Sequence, residues 1–133
     1  MKRKSEPGPK TRILVVDDDP VAARIAARVA RFGGFDVLEC HDAAEAVAQA
    51  RSWSPQLVIS DVRMPGIDGP ELCVLLKADP ATRQVPILLV SAEENFDQAW
   101  LGRFCGSADF LPKPFTPIKL LRVINRLLGR VAV

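Results

Sequence analysis

Leu57-Val58-Ile59-Ser60-Asp61-Val62-Arg63-Met64-Pro65-Gly66-Ile67-Asp68-Gly69 is the stretch whose reading decides how this chain folds. It opens on a short apolar run, too short and too β-branched for a helix, which reads as a buried strand. The strand ends on an acid, Asp61. Met64-Pro65-Gly66 and Asp68-Gly69 behind it are turn residues, so the chain leaves the sheet at once. Asp61 is therefore expected at the carboxyl end of a central strand, the edge where open α/β sheets keep their ligand sites. One acid in such a place often does no more than cap a loop, so the neighbouring stretches have to decide.

Upstream, Arg12-Ile13-Leu14-Val15-Val16 is a first strand that runs into Asp17-Asp18-Asp19-Pro20. Asp19 followed by Pro20 is a helix start, with Asp as N-cap and Pro in the first turn. Val21, Ile25, Val29 and Phe32 recur at helical spacing and predict an amphipathic helix that Gly33-Gly34 stops. Phe35–Cys40 is a second strand, and Asp42 with Glu45 three residues on opens a second helix carrying Ala43, Ala46, Val47 and Ala50. Downstream of Asp61, a third helix starts at Pro70 or Glu71 and ends by Asp79-Pro80. Val85–Ser91 is a fourth strand. A fourth helix runs through Phe96, Trp100 and Phe104, and Ala108–Leu111 is a fifth strand. Thr116-Pro117 then opens a last helix with Leu120, Leu121, Ile124, Leu127 and Leu128.

Strand and helix thus alternate five times, and the strands are apolar throughout. Such strands are buried on both faces, which predicts an α/β fold with a parallel sheet and helices on either side. Strand order does not follow from the pattern.

The 133 residues suit a single core. No apolar run reaches the length of a membrane span, and the N-terminus has charge but no apolar segment of a signal peptide. A cytoplasmic protein without membrane insertion is expected. Residues 1–12 carry a net +4 of the total +2, leaving −2 for the rest. Residues 1–11 are expected as a disordered basic leader, 12–130 as the folded domain, and 131–133 as a tail. Cys40, Cys73 and Cys105 are too scattered for a metal pair and read as free thiols. The single histidine, His41, rules out a multi-histidine metal site.

Four strand ends carry reactive side chains: Asp17 and Asp18, Asp61, Ser91, and Lys113. A parallel sheet brings them to one edge. Singly, Ser91 reads as a strand-end hydroxyl and Lys113 as a solvated lysine. Jointly they form a set. Three carboxylates in reach of one another repel, and a divalent cation relieves this. Oxygen ligands without His or Cys point to Mg²⁺ rather than Zn²⁺. Mg²⁺, a lysine charge, a serine donor and a nucleophilic aspartate are what phosphoryl transfer needs.

Val15-Val16-Asp17-Asp18-Asp19-Pro20, Asp61 with Met64-Pro65-Gly66-Ile67-Asp68-Gly69, Val90-Ser91-Ala92, and Phe110-Leu111-Pro112-Lys113-Pro114-Phe115 resemble the signature blocks of response-regulator receiver domains. The separations of 30 residues from Asp61 to Ser91 and 22 from Ser91 to Lys113 are typical of that family. The resemblance, running from about Arg12 to Arg130, implies a flavodoxin-like doubly wound sheet of five parallel strands in the order 2-1-3-4-5. It implies that Asp61 accepts a phosphoryl group from a histidine kinase or phosphotransfer protein. By the same resemblance, Asp18, Asp61 and the Arg63 backbone carbonyl ligate Mg²⁺, and Asp17 acts through water. Ser91 and Lys113 bind the phosphoryl group, Phe110 is the switch aromatic, and Lys113-Pro114 is cis. Phe110 replaces the tyrosine common there, and the chain has no tyrosine. Such a domain catalyses its own phosphorylation and dephosphorylation without turning over an external substrate. It signals through the face built by the fourth helix, the fifth strand and the last helix, toward a downstream protein and not toward nucleic acid. Arg63 and Glu93, two residues beyond Asp61 and Ser91, border the mouth of the site with opposite charges and are expected to pair across it.

Two other classes compete. One is a receiver-shaped binding module that never cycles phosphate. The other is a small phosphatase of the haloacid-dehalogenase type, because Asp17-x-Asp19 after an apolar strand resembles that nucleophile motif.

Overall fold

Alternating side chains split each strand between two faces, and the computed structural model shows what covers each. It describes residues 9–92 and 109–130. The elements are β1 (Arg12–Val16), α1 (Pro20–Phe32), β2 (Asp36–Cys40), α2 (Ala43–Trp53), β3 (Leu57–Asp61), α3 (Gly69–Ala78), β4 (Ile87–Ser91), β5 (Asp109–Pro112) and α4 (Pro117–Leu127). The helix expected through Phe96, Trp100 and Phe104 lies outside the described residues.

The strands form one parallel sheet in the order β2-β1-β3-β4-β5. On one face, Leu14, Val16, Val58, Ile87 and Leu89 meet Ala46 and Ala50 of α2 and Leu72, Cys73 and Leu76 of α3. On the other, Ile13, Val15, Leu57, Ile59, Leu88, Val90 and Leu111 meet α1 and, through Leu120 and Ile124, α4. Two-sided burial explains why the strands read as unbroken apolar runs.

The helix starts follow the caps. Asp19, Asp42, Asp68 and Thr116 each accept a backbone N–H of the first turn, satisfying donors that have no partner inside the helix. Helix α3 begins at Gly69, earlier than expected, because Asp68 is its cap. Strand β1 begins at Arg12 as expected, and just ahead of it the Thr11 carbonyl accepts from the Asp36 N–H at 3.0 Å.

The face of α1 differs from the expected one. Ala23, Ala26, Ala27 and Ala30 are buried, while Val21, Ile25 and Phe32 are 67, 53 and 88% exposed. The alanines recur at the same helical spacing as the larger residues. Sheet side chains such as Ile13 and Val15 already fill the interlayer space, and only methyl groups fit between them and the helix backbone.

Cys40 and Cys73 are buried free thiols; burial first, and then the Glu45 carboxylate, push the Cys40 thiol up to about 12. Cys105 lies outside the described residues. Among the described residues no helix is long and apolar enough to cross a membrane.

Candidate functional site

Parallel register puts Val16 beside Ser60 and Asp61 beside Val90. The residue after β1 and the last of β3 therefore share the carboxyl edge of the sheet. Side-chain oxygens of Asp17, Asp18 and Asp61 all lie within 4.8 Å of one another. Asp17 is buried, Asp61 half-buried and Asp18 exposed, so the cluster grades from the core out to solvent.

Lys113 reaches this cluster from the far end of the chain. Its backbone N–H donates to the Ser91 carbonyl at 2.8 Å, which lays the segment after β5 along the end of β4. Its Nζ donates to Asp17 Oδ2 at 3.0 Å and stands 3.6 Å from Asp61 Oδ1. The Lys113–Pro114 peptide is cis. Asp17 Oδ1 accepts the Asp19 N–H at 3.0 Å, so both oxygens of Asp17 are engaged.

Among the described residues one ammonium faces three carboxylates, and the imbalance shows at Asp61. Its carboxyl is held above the usual carboxylate range. Burial is the largest cause, the Lys113 charge opposes it, Asp17 and Asp18 push the same way as burial, and the Val62 N–H pulls down. Among the described residues the donor set is all carboxylate oxygen, with excess negative charge and the Asp18 carboxylate exposed. That fits a hard divalent ion such as Mg²⁺ and does not fit Zn²⁺.

Ser91 closes β4 and is 2% exposed. Phe110 is half-buried, in register with Leu89 and against the cluster that includes Leu72. Arg63 is exposed on the loop after β3. Glu93, its expected partner across the mouth, lies outside the described residues. Beside Lys113 a cavity of ≈ 400 Å³ opens between Ala22 and Ile25 of α1 and Ala92, Pro114 and Phe115.

Two contributors to the site escaped the sequence reading. Gly69 donates its N–H to the Val62 carbonyl at 2.9 Å, and a Cβ there would stand 2.4 Å from the Asp61 carbonyl oxygen. Only glycine lets α3 begin so close to the acid. His41 sets Nδ1 3.1 Å from the Asp17 carbonyl oxygen. Both parts depend on how closely backbones approach at the sheet edge, which the sequence alone does not state.

Acids just after β1 and at the end of β3, a serine closing β4 and a lysine after β5, on a parallel sheet ordered β2-β1-β3-β4-β5, define the class of response-regulator receivers. The chain matches the response regulator receiver domain family over residues 13–125 and belongs to it; it is the receiver domain of a two-component response regulator. It is 36% identical over 121 residues to the DNA-binding response regulator MtrA of Mycolicibacterium smegmatis, covering 91% of this chain and 52% of that protein. It is 37% identical over 119 residues to the response regulator MprA of Mycobacterium avium, covering 90% and 51%. The chain thus spans about half the length of these curated relatives. Among solved structures it is similar to a putative response regulator from Chloroflexus aurantiacus, with TM-score 0.84 and 34% identity over 92% of this chain and 100% of that one. It is also similar to the chemotaxis protein CheY4 of Vibrio cholerae, with TM-score 0.83 and 28% identity over 89% and 98%.

Proposed function

We propose that this domain takes a phosphoryl group onto Asp61 from a histidine kinase or phosphotransfer protein and thereby changes its contacts with a downstream protein. The observation that carries the reading is Lys113 Nζ, 3.0 Å from Asp17 Oδ2 and 3.6 Å from Asp61 Oδ1 in a cluster that also holds the exposed Asp18. An Asp61 oxygen attacks phosphorus, the new O–P bond forms, and the donor's P–N bond breaks with its electron pair leaving on the imidazole nitrogen. Lys113 balances the charge gathering on the phosphoryl oxygens, and the Ser91 hydroxyl donates to one of them. Asp18, Asp61 and the Arg63 carbonyl would hold Mg²⁺, with Asp17 acting through water. Bound there, Mg²⁺ would supply Lewis-acid charge neutralisation.

Asp17 is a poor nucleophile here, because it is buried and both its oxygens are occupied. That, with the family membership, removes the dehalogenase-type phosphatase. The largely apolar walls beside Lys113 suit docking of a protein donor. Movement of Ser91 toward the phosphoryl group, followed inward by Phe110, is the proposed switch, read on the face of β5, α4 and the helix expected before β5. The Arg63–Glu93 pair is part of this proposal, as a cover over the water that would hydrolyse the phosphate. So are cytoplasmic placement and protein rather than nucleic-acid output. The reading concerns the domain these residues form, whether it acts alone or joined to another.

Acetyl phosphate with Mg²⁺, read by intact mass, tests it. Wild type is expected to gain one phosphoryl group. Asp61→Asn and chelated wild type are expected to gain none. Equal labelling of Asp61→Asn would overturn the assignment, and an unlabelled wild type would leave a binding module that never cycles phosphate.

A further inference from the structure

We infer that His41 is a positioning residue for the cation-binding acids, its imidazole holding the Asp17–Asp18 peptide in the orientation that presents the Asp18 carboxylate to Asp61. The inference rests on reading the three acids as a Mg²⁺ site.

The end of β2 grips Asp17 twice. The Asp17 N–H donates to the Cys40 carbonyl at 3.0 Å, and the next residue, His41, places Nδ1 3.1 Å from the Asp17 carbonyl oxygen. A carbonyl only accepts, so Nδ1 carries the proton. With Oδ1 on the Asp19 N–H and Oδ2 on Lys113, every polar group of Asp17 is committed. The corner that carries His41 is itself anchored, because Asp42 Oδ1 caps α2 by accepting the Glu45 N–H at 2.7 Å.

The Asp17 carbonyl belongs to the peptide that leads into Asp18. A peptide is planar, so holding its oxygen fixes the N–H and Cα of Asp18 as well. Asp18 and Asp19 are exposed, and packing of their own side chains does little to hold this turn. The Asp19 cap fixes the far side of the turn; His41 fixes the near side. A cation then meets the carboxylates of Asp18 and Asp61 already in place, without first ordering a loop.

Partners that orient metal ligands typically matter 10–100-fold in affinity, and His41 acts through one further peptide, so about 3–10-fold is expected. The full chain is used at constant pH. The Mg²⁺ Kd is obtained from the rise of melting temperature with Mg²⁺ concentration. His41→Ala is expected to weaken Mg²⁺ about 3–10-fold. His41→Asn, whose amide can place an N–H near the position of Nδ1, is expected to stay within about twofold of wild type. His41→Gln, whose amide lies one bond further out, is expected to behave like His41→Ala and serves in its place if that variant does not fold. A role confined to stability would lower the melting temperature in chelator and leave the Mg²⁺ Kd alone; that result overturns the inference, as does His41→Asn binding as weakly as His41→Ala. A wild type that binds no Mg²⁺ and takes no phosphoryl group overturns the reading of the site itself. A wild type that does both, beside an equally tight His41→Ala, overturns only the role of His41.

Discussion

Lys113 stands closer to Asp17 than to Asp61, 3.0 against 3.6 Å, and that inequality decides what happens when Asp61 loses its charge. The lysine keeps its nearer partner, while the repulsion among the acids and the burial cost of the Asp61 carboxylate both disappear. Asp61 holds its proton more tightly folded than unfolded. Its ionisation therefore costs stability as pH rises from the ordinary carboxylate range through the raised folded value, and the loss persists above it. Asp61→Asn should melt a few degrees higher than wild type in chelator at pH 7, and the gain should shrink as the pH is lowered toward 4. Mg²⁺ should close the gap by stabilising wild type more. A variant that melts below wild type under chelation would show that the Asp61–Lys113 attraction wins instead. At this scale Asp17, Asp18, Asp61, Ser91 and Lys113 were legible, because each closes or follows a strand. Gly69 and His41 were not: their parts depend on distances between backbones that a single sequence does not state.

Helix α1 shows how an element can be found and yet turned the wrong way. Its start was legible from Asp19-Pro20, and its length from the glycines. Its buried side was not, because hydropathy favours Val21, Ile25 and Phe32 over alanine, and the sheet's own side chains leave room only for methyls. The two sides make opposite forecasts for mutation. Ala23→Leu, at a fully buried position, should cost about 1–3 kcal/mol by overpacking. Phe32→Ser, at a residue 88% exposed, should stay within about 0.5 kcal/mol of wild type. Urea midpoints compare the two directly, and a larger loss at Phe32 would mean the phenylalanine side is covered after all.

For the whole molecule, five alternations of apolar strand and helix were enough to place the strand ends that carry Asp17, Asp18, Asp61 and Ser91 on one edge. The order of the strands was legible only through the resemblance, since βα units of like composition can be wound either way. Order matters because β5 and α4, last in sequence, complete the face that begins with β1: Leu111, Leu120 and Ile124 share a cluster with Ile13 and Val15. A chain stopped after Pro112 should therefore lose its cooperative melting transition and its Mg²⁺-dependent gain of mass; a truncated chain that still melts sharply would place the core elsewhere. The reach of Lys113 back to Asp17 and Asp61 has a further consequence during synthesis. Fifty-two residues separate Asp61 from Lys113, roughly 3–10 s of translation at about 5–20 residues per second. A ribosome exposes Asp61 well before the lysine that balances it, so on the proposed function a nascent copy takes no phosphoryl group until the segment after its final strand arrives.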